Sequence, residues 1–429
     1  MNLSKSKYDN SYIYKTYACK TKWSWTIFLL IGLIAVGTTS CNKDDEVVNN
    51  SEEAESAWMY SHNIIGPEGG VTYLGVAKSI PSEPNTTKEL ELGFDSEAIS
   101  FKENPYTWNG SAATLTKWNV DKVTLELSVE GILSFASLGI TSIANAAFTS
   151  ETQAFVFNLN EGLVVEWNPT DMNIIEVYQV DPLPGAEKLI GGEIYGEFRS
   201  YITLENKILL PTTYIQSSTC CEYVDLGGTV LAVFDPVSKT LAYNQDDRLI
   251  SSKDYLLTDN NGFQYVIPAE QQFLLEHYYN VDMDQLPNPY AMLKVNPDGS
   301  FDENYSVDFS ELLNTNFIAR VGLVYDNEVV VSYIEGDHDF SASFDDRWAF
   351  WGDGFKSSII NLDTKEVRDF DAFDGYVYTN QVAIIEGVNY FIAWAGLDQG
   401  GLILRQESAE LYTILSNAEG PFRNIGKLW

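Results

Sequence analysis

The chain is predicted to be an all-β protein folded as a seven-bladed β-propeller, and three observations carry that reading. First, apolar runs alternate at period 2, as in Ala154 to Val180, AFVFNLNEGLVVEWNPTDMNIIEVYQV, where three strand-like runs are parted by the polar segments NLNE and NPTDMN. Val, Ile, Phe, Tyr and Trp suit a half-buried strand, whereas Asn, Asp and Pro suit a reversal. Second, the phrases VEWNPTDMN, AVFDPVSKT, LKVNPDGSF and IINLDTKEV align, giving a repeat of roughly 50 residues, a period that belongs to radial arrays of small sheets. Third, no amphipathic stretch of 10–15 residues stands between the strands, which disfavours a doubly wound α/β fold. A large β-sandwich or a two-domain all-β protein is the alternative packing.

In chain order, residues 1–40 read as a lipoprotein signal peptide. Lys5, Lys7, Lys15, Lys20 and Lys22 precede an apolar run from Trp23 to Gly37, WSWTIFLLIGLIAVG. That run is shorter than the ~20 residues needed to span a bilayer as a helix and fits the core of a secretion signal. Thr38-Thr39-Ser40 then lead to Cys41, the expected site of cleavage and lipid attachment, although Thr38 stands where Leu is favoured. A single transmembrane anchor with Cys41 incidental is the competing reading. Residues 41–57, rich in Asp and Glu and poor in packing residues, read as an acidic tether.

Residues 58–429 are expected to form one propeller domain. Its units are drawn as Val71 to Phe101, Tyr106 to Phe135, the stretch around Ala154 to Val180, three units beginning near Tyr201, Tyr255 and Phe317, and Tyr376 to Ile425. The strand around Trp58–Ile65 is expected to complete the last unit, because closing the ring removes two exposed edges. Trp108, Trp118, Trp167, Phe234 and Tyr265 are read as packing between sheets.

Charge narrows the partners. The chain has 26 basic and 61 acidic residues, a net charge of −35; without residues 1–40 the balance is 21 against 60, or −39. Such a chain repels phosphate backbones, so nucleic acid is disfavoured.

The candidate functional residues fall in insertions, since loops on a rigid radial scaffold carry variable chemistry. The fourth unit inserts IQSSTCCEYVDLGG. Its Cys220 and Cys221 are read as a vicinal disulfide, as two free thiols or as a metal-binding pair. The fifth inserts EQQFLLEHYYNVDMDQLPNP, and the sixth EGDHDFSASFDDRWAFWGDG. In the sixth, Asp337, Asp339, Asp345 and Asp346 are the candidate ligands for a hard cation such as Ca²⁺, while His338, Trp348 and Trp351 are the candidates for a ligand face. A solvated acidic loop accounts for the same residues, and no other cofactor is expected. Catalytic signatures are sparse. His62, His277 and His338 occur outside any His-Glu-x-x-His arrangement, and there is neither a Gly-x-Ser-x-Gly elbow nor a phosphate-cradling glycine loop.

Leu133 to Gly139 (LSFASLG), the segment SETQAFVFNLNEGLVVEWNPTDMNI and the segment VNPDGSFDENYSVDF resemble the MxcI-like lipoproteins of siderophore gene clusters and related Bacteroidota surface lipoproteins. Asn42-Lys43-Asp44-Asp45-Glu46 is similar to the short acidic signal that directs Bacteroidota lipoproteins to the outer face of the outer membrane. The likeness spans Tyr106 to Phe309 and brings no active-site motif. It implies a surface lipoprotein held in the outer membrane by its lipid anchor, a non-catalytic binding or accessory role in iron–siderophore uptake, and a TonB-dependent receptor as partner. An extracellular hydrolase or lyase acting on glycans or siderophore esters is the alternative function.

Overall fold

The repeat resolves into seven four-stranded antiparallel sheets set as the blades of a propeller. The structure is a computed structural model and describes residues 54–66, 69–80, 88–93, 96–109, 112–140, 146–159, 161–184, 202–204, 206–211, 228–249, 254–259, 261–268, 291–315, 318–325, 327–336, 355–370, 382–386, 388–394, 401–407, 410–417, 420 and 422–429.

The first blade holds β1 (Trp58–Gly66), β2 (Gly69–Ala77) and β3 (Leu90–Leu92), and the second β4 (Ser96–Phe101), β5 (Asn104–Asn109), β6 (Thr114–Val120) and β7 (Leu127–Ser134). The third holds β8 (Ala146–Ser150), β9 (Gln153–Asn158), β10 (Leu163–Asn168) and β11 (Asn173–Gln179). The fourth holds β12 (Ile202–Leu204), β13 (Lys207–Pro211), β14 (Thr229–Asp235) and β15 (Thr240–Asp246). The fifth holds β16 (Asp254–Thr258), β17 (Gln264–Pro268), β18 (Ala291–Val295) and β19 (Phe301–Asp308). The sixth holds β20 (Ile318–Tyr325), β21 (Glu328–Ile334), β22 (Phe355–Asn361) and β23 (Val367–Asp369). The seventh holds β24 (Val382–Ile385), β25 (Val388–Trp394), β26 (Gly401–Glu407) and β27 (Glu410–Asn417). Then β28 (Phe422–Lys427) returns to the first blade, pairing with β1 so that the sheet order is β28-β1-β2-β3.

Two expectations shift here. The strand at Trp58 pairs with the last strand as expected, but the seventh blade already owns four strands, so β28 completes the first blade instead. The unit boundaries also move, because Ser96–Phe101, drawn at the end of the first unit, is the opening strand of the second blade.

Burial follows from the radial packing. Middle strands lie between neighbouring blades and are covered on both faces, so β14 (TVLAVFD) is buried at six consecutive positions. Outer strands carry water on one side, and β11 and β15 are mostly exposed or half-buried. Cores form between blades. Trp108, Phe135, Phe148 and Trp167 join the second and third, and Phe155, Phe157 and Phe234 join the third and fourth. Trp167 and Phe234 are fully buried, Trp108 and Tyr265 nearly so, and Trp118 is partly buried, as the packing role required.

Three of the four aligned phrases, and the turn that begins at Asp121, form one kind of turn between the third and fourth strands of a blade, whereas the phrase LKVNPDGSF closes more tightly, with Gly299 N–H donating to Asn296 O at 2.9 Å. Asp121, Asn168, Asp235 and Asn361 each accept N–H groups two and three residues on; Asp235 Oδ1, for example, lies 2.8 Å from Val237 N and 3.1 Å from Ser238 N. The bonds from Ser238 N–H and Val237 N–H hold the Asp235 carboxyl below its ordinary pKa. Four residues after each Asx stands a left-handed residue: Leu125, Met172, Lys239 or Lys365, with φ between 52° and 62°. Each donates its N–H to the Asx carbonyl at 2.8 Å.

Each of these left-handed residues packs onto the preceding blade. Leu125 joins the apolar cluster of Met59 and Leu74, and Met172 covers Gly131, where a Cβ would lie 2.7 Å from its Cγ. Lys239 sets its ammonium 4.7 Å from the Phe155 ring centre and 5.2 Å from that of Tyr178. Lys365 lies 5.3 Å over Tyr305, and burial pulls its pKa below the ordinary lysine value. The repeated turn therefore rivets blade to blade.

Candidate binding face

Alternating strand direction gives the propeller two unlike faces. Turns between first and second strands and between third and fourth strands emerge on one, here the turn face. Connections between second and third strands, and crossovers between blades, emerge on the other, here the connector face. Turns of the first kind are tight, as at Phe101–Asn104, Ser150–Gln153 and Tyr325–Glu328. The long connections instead join Pro211 to Thr229, Pro268 to Ala291 and Ile334 to Phe355, in three consecutive blades. All three begin and end on the connector face, and so do the crossovers from Gln179 to Ile202 and from Asp369 to Val382.

The topology thus brings to one face the ends of the connectors that carry Cys220 and Cys221 and the five acids of 337–353. The residues themselves lie outside the described ones: Cys41, Cys220, Cys221, Asp337, His338, Asp339, Asp345, Asp346, Trp348 and Trp351. Among the described residues, no group of three His, Cys, Asp or Glu side chains could hold a metal ion. No helix of the described residues is long and apolar enough to cross a membrane, and the run from Trp23 to Gly37 lies outside them.

The base of the acidic connector is well built. Ile334 and Phe355 are cross-strand partners, and the Lys356 ammonium, next in line, pairs with Glu335. The hydrogen bond to Glu335 raises the Lys356 pKa, and Glu335, the sixth acid of the insertion, is thereby a partnered charge. From the fifth blade, Thr315 Oγ1 donates to Ile334 O and to Gly336 O, the latter at 3.1 Å. Thr315 is placed by the helical turn Phe309–Leu313, whose N-cap, Asp308, accepts from Ser310 N–H at 2.9 Å and Glu311 N–H at 3.1 Å. The connector therefore leaves from a fixed stem.

Two further clusters were not visible in the sequence. His62 is fully buried, with Nε2 2.9 Å from Glu89 Oε2, while the Tyr60 hydroxyl donates to Glu89 Oε1 at 2.5 Å. The imidazole stacks on Tyr73 at 5.5 Å and meets the edge of Phe422 at 6.0 Å. A His–carboxylate pair can serve general acid–base chemistry, but side-chain exposures of 0% and 2% leave a substrate no access, so the cluster fastens the seam where β28 joins β1. The partners are 27 residues apart, with no motif to link them. The second cluster is a cleft of about 310 Å³ on the turn face, between the second and third blades. It is lined by Lys102, Asn104, Tyr106, Lys117, Glu151 and Thr170. Lys117 is already paired with Glu130 at 2.7 Å, and Asn104 Nδ2 donates to Trp118 O at 2.9 Å, so these two groups are committed within the protein.

No protein-family model and no curated protein matches the chain. Solved structures of other proteins are similar to it over most of its length. A candidate 6-phosphogluconolactonase from Bacteroides fragilis is 10% identical, with a TM-score of 0.49 over 90% of this chain and 99% of that one. The periplasmic gluconolactonase of Pseudomonas aeruginosa is 9% identical, with a TM-score of 0.49 over 86% of this chain and 99% of that one. The β-propeller domain of the Trilobed protease from Pyrococcus furiosus is 7% identical, with a TM-score of 0.43 over 85% of this chain and 93% of that one. The propeller assignment stands on the strand order of the chain itself: seven sheets of four strands, closed by β28 on β1.

Proposed function

We propose that this chain is a lipid-anchored surface protein of the outer membrane, whose propeller serves as a non-catalytic binding or receptor-accessory module. The observation that supports it is the gathering of the three long connectors on one face, above strands buried on both sides. A rigid ring with its variable segments on one side is the usual way such a scaffold meets a partner. The likeness to MxcI-like lipoproteins directs the proposal to iron–siderophore uptake, beside a TonB-dependent receptor.

Two tests address it. Cys41→Ala is expected to leave unprocessed, mislocalised protein; an unlipidated mature N-terminus in the membrane fraction of the native protein, read by mass spectrometry, sinks the anchor. Deleting Asp337–Asp353 is expected to preserve the fold, because Ile334 and Phe355 are already paired and Glu335-Gly336-Gly354 would close a three-residue hairpin. The shortened protein is expected to lose its partner in a pull-down from detergent-solubilised outer membrane. Full recovery would show the connector to be a solvated loop. Titration of the intact protein with Ca²⁺, followed by tryptophan fluorescence and melting temperature, is expected to shift both; no change up to millimolar concentration removes the cation from the proposal.

A further inference from the structure

The way the chain enters the ring decides which face an anchor would hold near lipid. Although residues 41–57 read as a tether, the folded body begins inside them, and Ala54 and Ala57 are buried, with 7% and 0% exposure. Ala54 N–H donates to Lys122 O at 2.7 Å, and Trp429 Nε1 donates back to Ala54 O at 3.0 Å. Ala57 N–H donates to Trp429 O at 3.2 Å, and Leu428 N–H to Ala57 O at 2.9 Å. The Lys122 ammonium lies 5.1 Å over the Trp429 ring. Lys122 belongs to the turn between β6 and β7, and Trp429 follows β28 at the end where β1 starts. Every one of these groups is therefore on the turn face.

We propose that the turn face lies toward the lipid surface that holds Cys41, and that the connector face is presented to the medium. This rests on the proposed lipidation at Cys41. Twelve residues, 42–53, separate Cys41 from Ala54, a length of chain that spans at most ~45 Å and would average ~20 Å if it were a flexible coil. Turning the connector face to the lipid would send the leash outward past two strands, ~4.8 Å apart, and then down a blade ~25 Å high. That path takes ~35 Å, well beyond the ~20 Å of a flexible coil, so it needs a largely extended chain. The leash carries Asp44, Asp45, Glu46, Glu52 and Glu53, which keep it off an anionic surface. At the turn face Lys102, Lys122 and Lys427 are paired with Glu151, Glu103 and Glu386, so those three carboxylates are neutralised in place and add little repulsion toward anionic headgroups.

The third blade carries its own ruler. Glu151 precedes β9 on the turn face and Glu161 follows it on the connector face, both exposed. Glu151→Cys and Glu161→Cys, each with Cys220→Ser and Cys221→Ser, would be labelled with bimane in the full-length lipidated protein. The proteins would then be reconstituted into phosphatidylethanolamine–phosphatidylglycerol vesicles bearing nitroxide headgroups. The label at 151 is expected to be quenched at least twofold more than the label at 161. Asp171→Cys (turn face) and Asp247→Cys (connector face) form a second pair, should either first variant fold poorly, with the same expectation. Equal quenching, or stronger quenching at 161 or 247, overturns the orientation. Mass spectrometry of the acylated N-terminal peptide is read on the same samples. A missing acyl chain defeats the anchor itself, whereas an acylated protein with reversed quenching defeats the orientation alone.

Discussion

Removing residues 422–429 is expected to abolish cooperative folding. The segment supplies β28, the inner strand of the first blade, and its Phe422, Ile425 and Leu428 are buried to 0%, 3% and 5% exposure. At ~1.5–3 kcal/mol for each large apolar side chain, those three alone contribute roughly 5–9 kcal/mol, which is comparable with the whole net stability of about 5–15 kcal/mol for a folded domain. The deletion also takes away Asn424, whose Nδ2 donates to Ala98 O at 2.6 Å and links the first blade to the second. It frees the ladder edge of β1, an invitation to edge-to-edge association. The expected product is aggregated or lacks a single urea transition. A milder version is Phe422→Ala, expected to lower the unfolding free energy by about 3–5 kcal/mol at unchanged urea dependence. A truncated protein that melts cooperatively like the full chain would show that the seam contributes little.

The seam marks the boundary of what could be read from the residues. The turns after β10, β14 and β22 are legible because their chemistry is local, although the same letters also drew in the tighter turn after β18 and missed the matching turn after β6. An Asx must accept N–H groups two and three residues on, and a left-handed residue must follow, so the phrase recurs wherever the geometry does. The blade phase was less legible, since SEAISF at Ser96–Phe101 reads as a modest strand, and only its pairing with β5 makes it the opening of a new blade. The pairing of β28 with β1 joins opposite ends of the body, and no local pattern says which blade gains the strand. Alternation alone also misplaces burial at the rim. Ile132 and Ile175 look like core residues, yet they are 60% and 51% exposed on outer strands. Conversely, Lys239 and Lys365 look like surface turn residues but reach into the neighbouring blade. As for the candidate site, insertion lengths identified the connectors, and strand direction then placed all three on one face. His62 and Glu89 could not be found that way, because what unites them is a fold rather than a spacing.

Lys239→Met is expected to cost about 3 kcal/mol at pH 7, the low end for breaking a buried ion pair by removing one partner. Glu166 is only 6% exposed, and its Oε2 lies 2.8 Å from Lys239 Nζ and 2.5 Å from the Tyr178 hydroxyl, while Oε1 accepts from Gln153 Nε2 at 2.6 Å. Burial by itself would raise the Glu166 pKa. The hydrogen bonds from Lys239, Tyr178 and Gln153 outweigh it, so the carboxyl titrates below its ordinary value. A folded pKa below the unfolded one, about 4.3 for glutamate, means the group stabilises the protein above that pH and loses its contribution as pH falls through the folded value. Methionine suits the backbone, since Met172 holds the equivalent left-handed position with φ 52° against 60° at Lys239. What the substitution removes is the cation, so desolvation then dominates and Glu166 takes up a proton at higher pH. The deficit relative to the parent should therefore be largest at neutral pH and shrink as pH is lowered toward 4.5. Glu166→Gln combined with Lys239→Met should recover most of it, because no buried charge is left without its partner. Urea unfolding of the three proteins at pH 7 and pH 4.5 checks both statements. A deficit of equal size at the two pH values would assign the role of Lys239 to packing over Phe155 and Tyr178 rather than to charge.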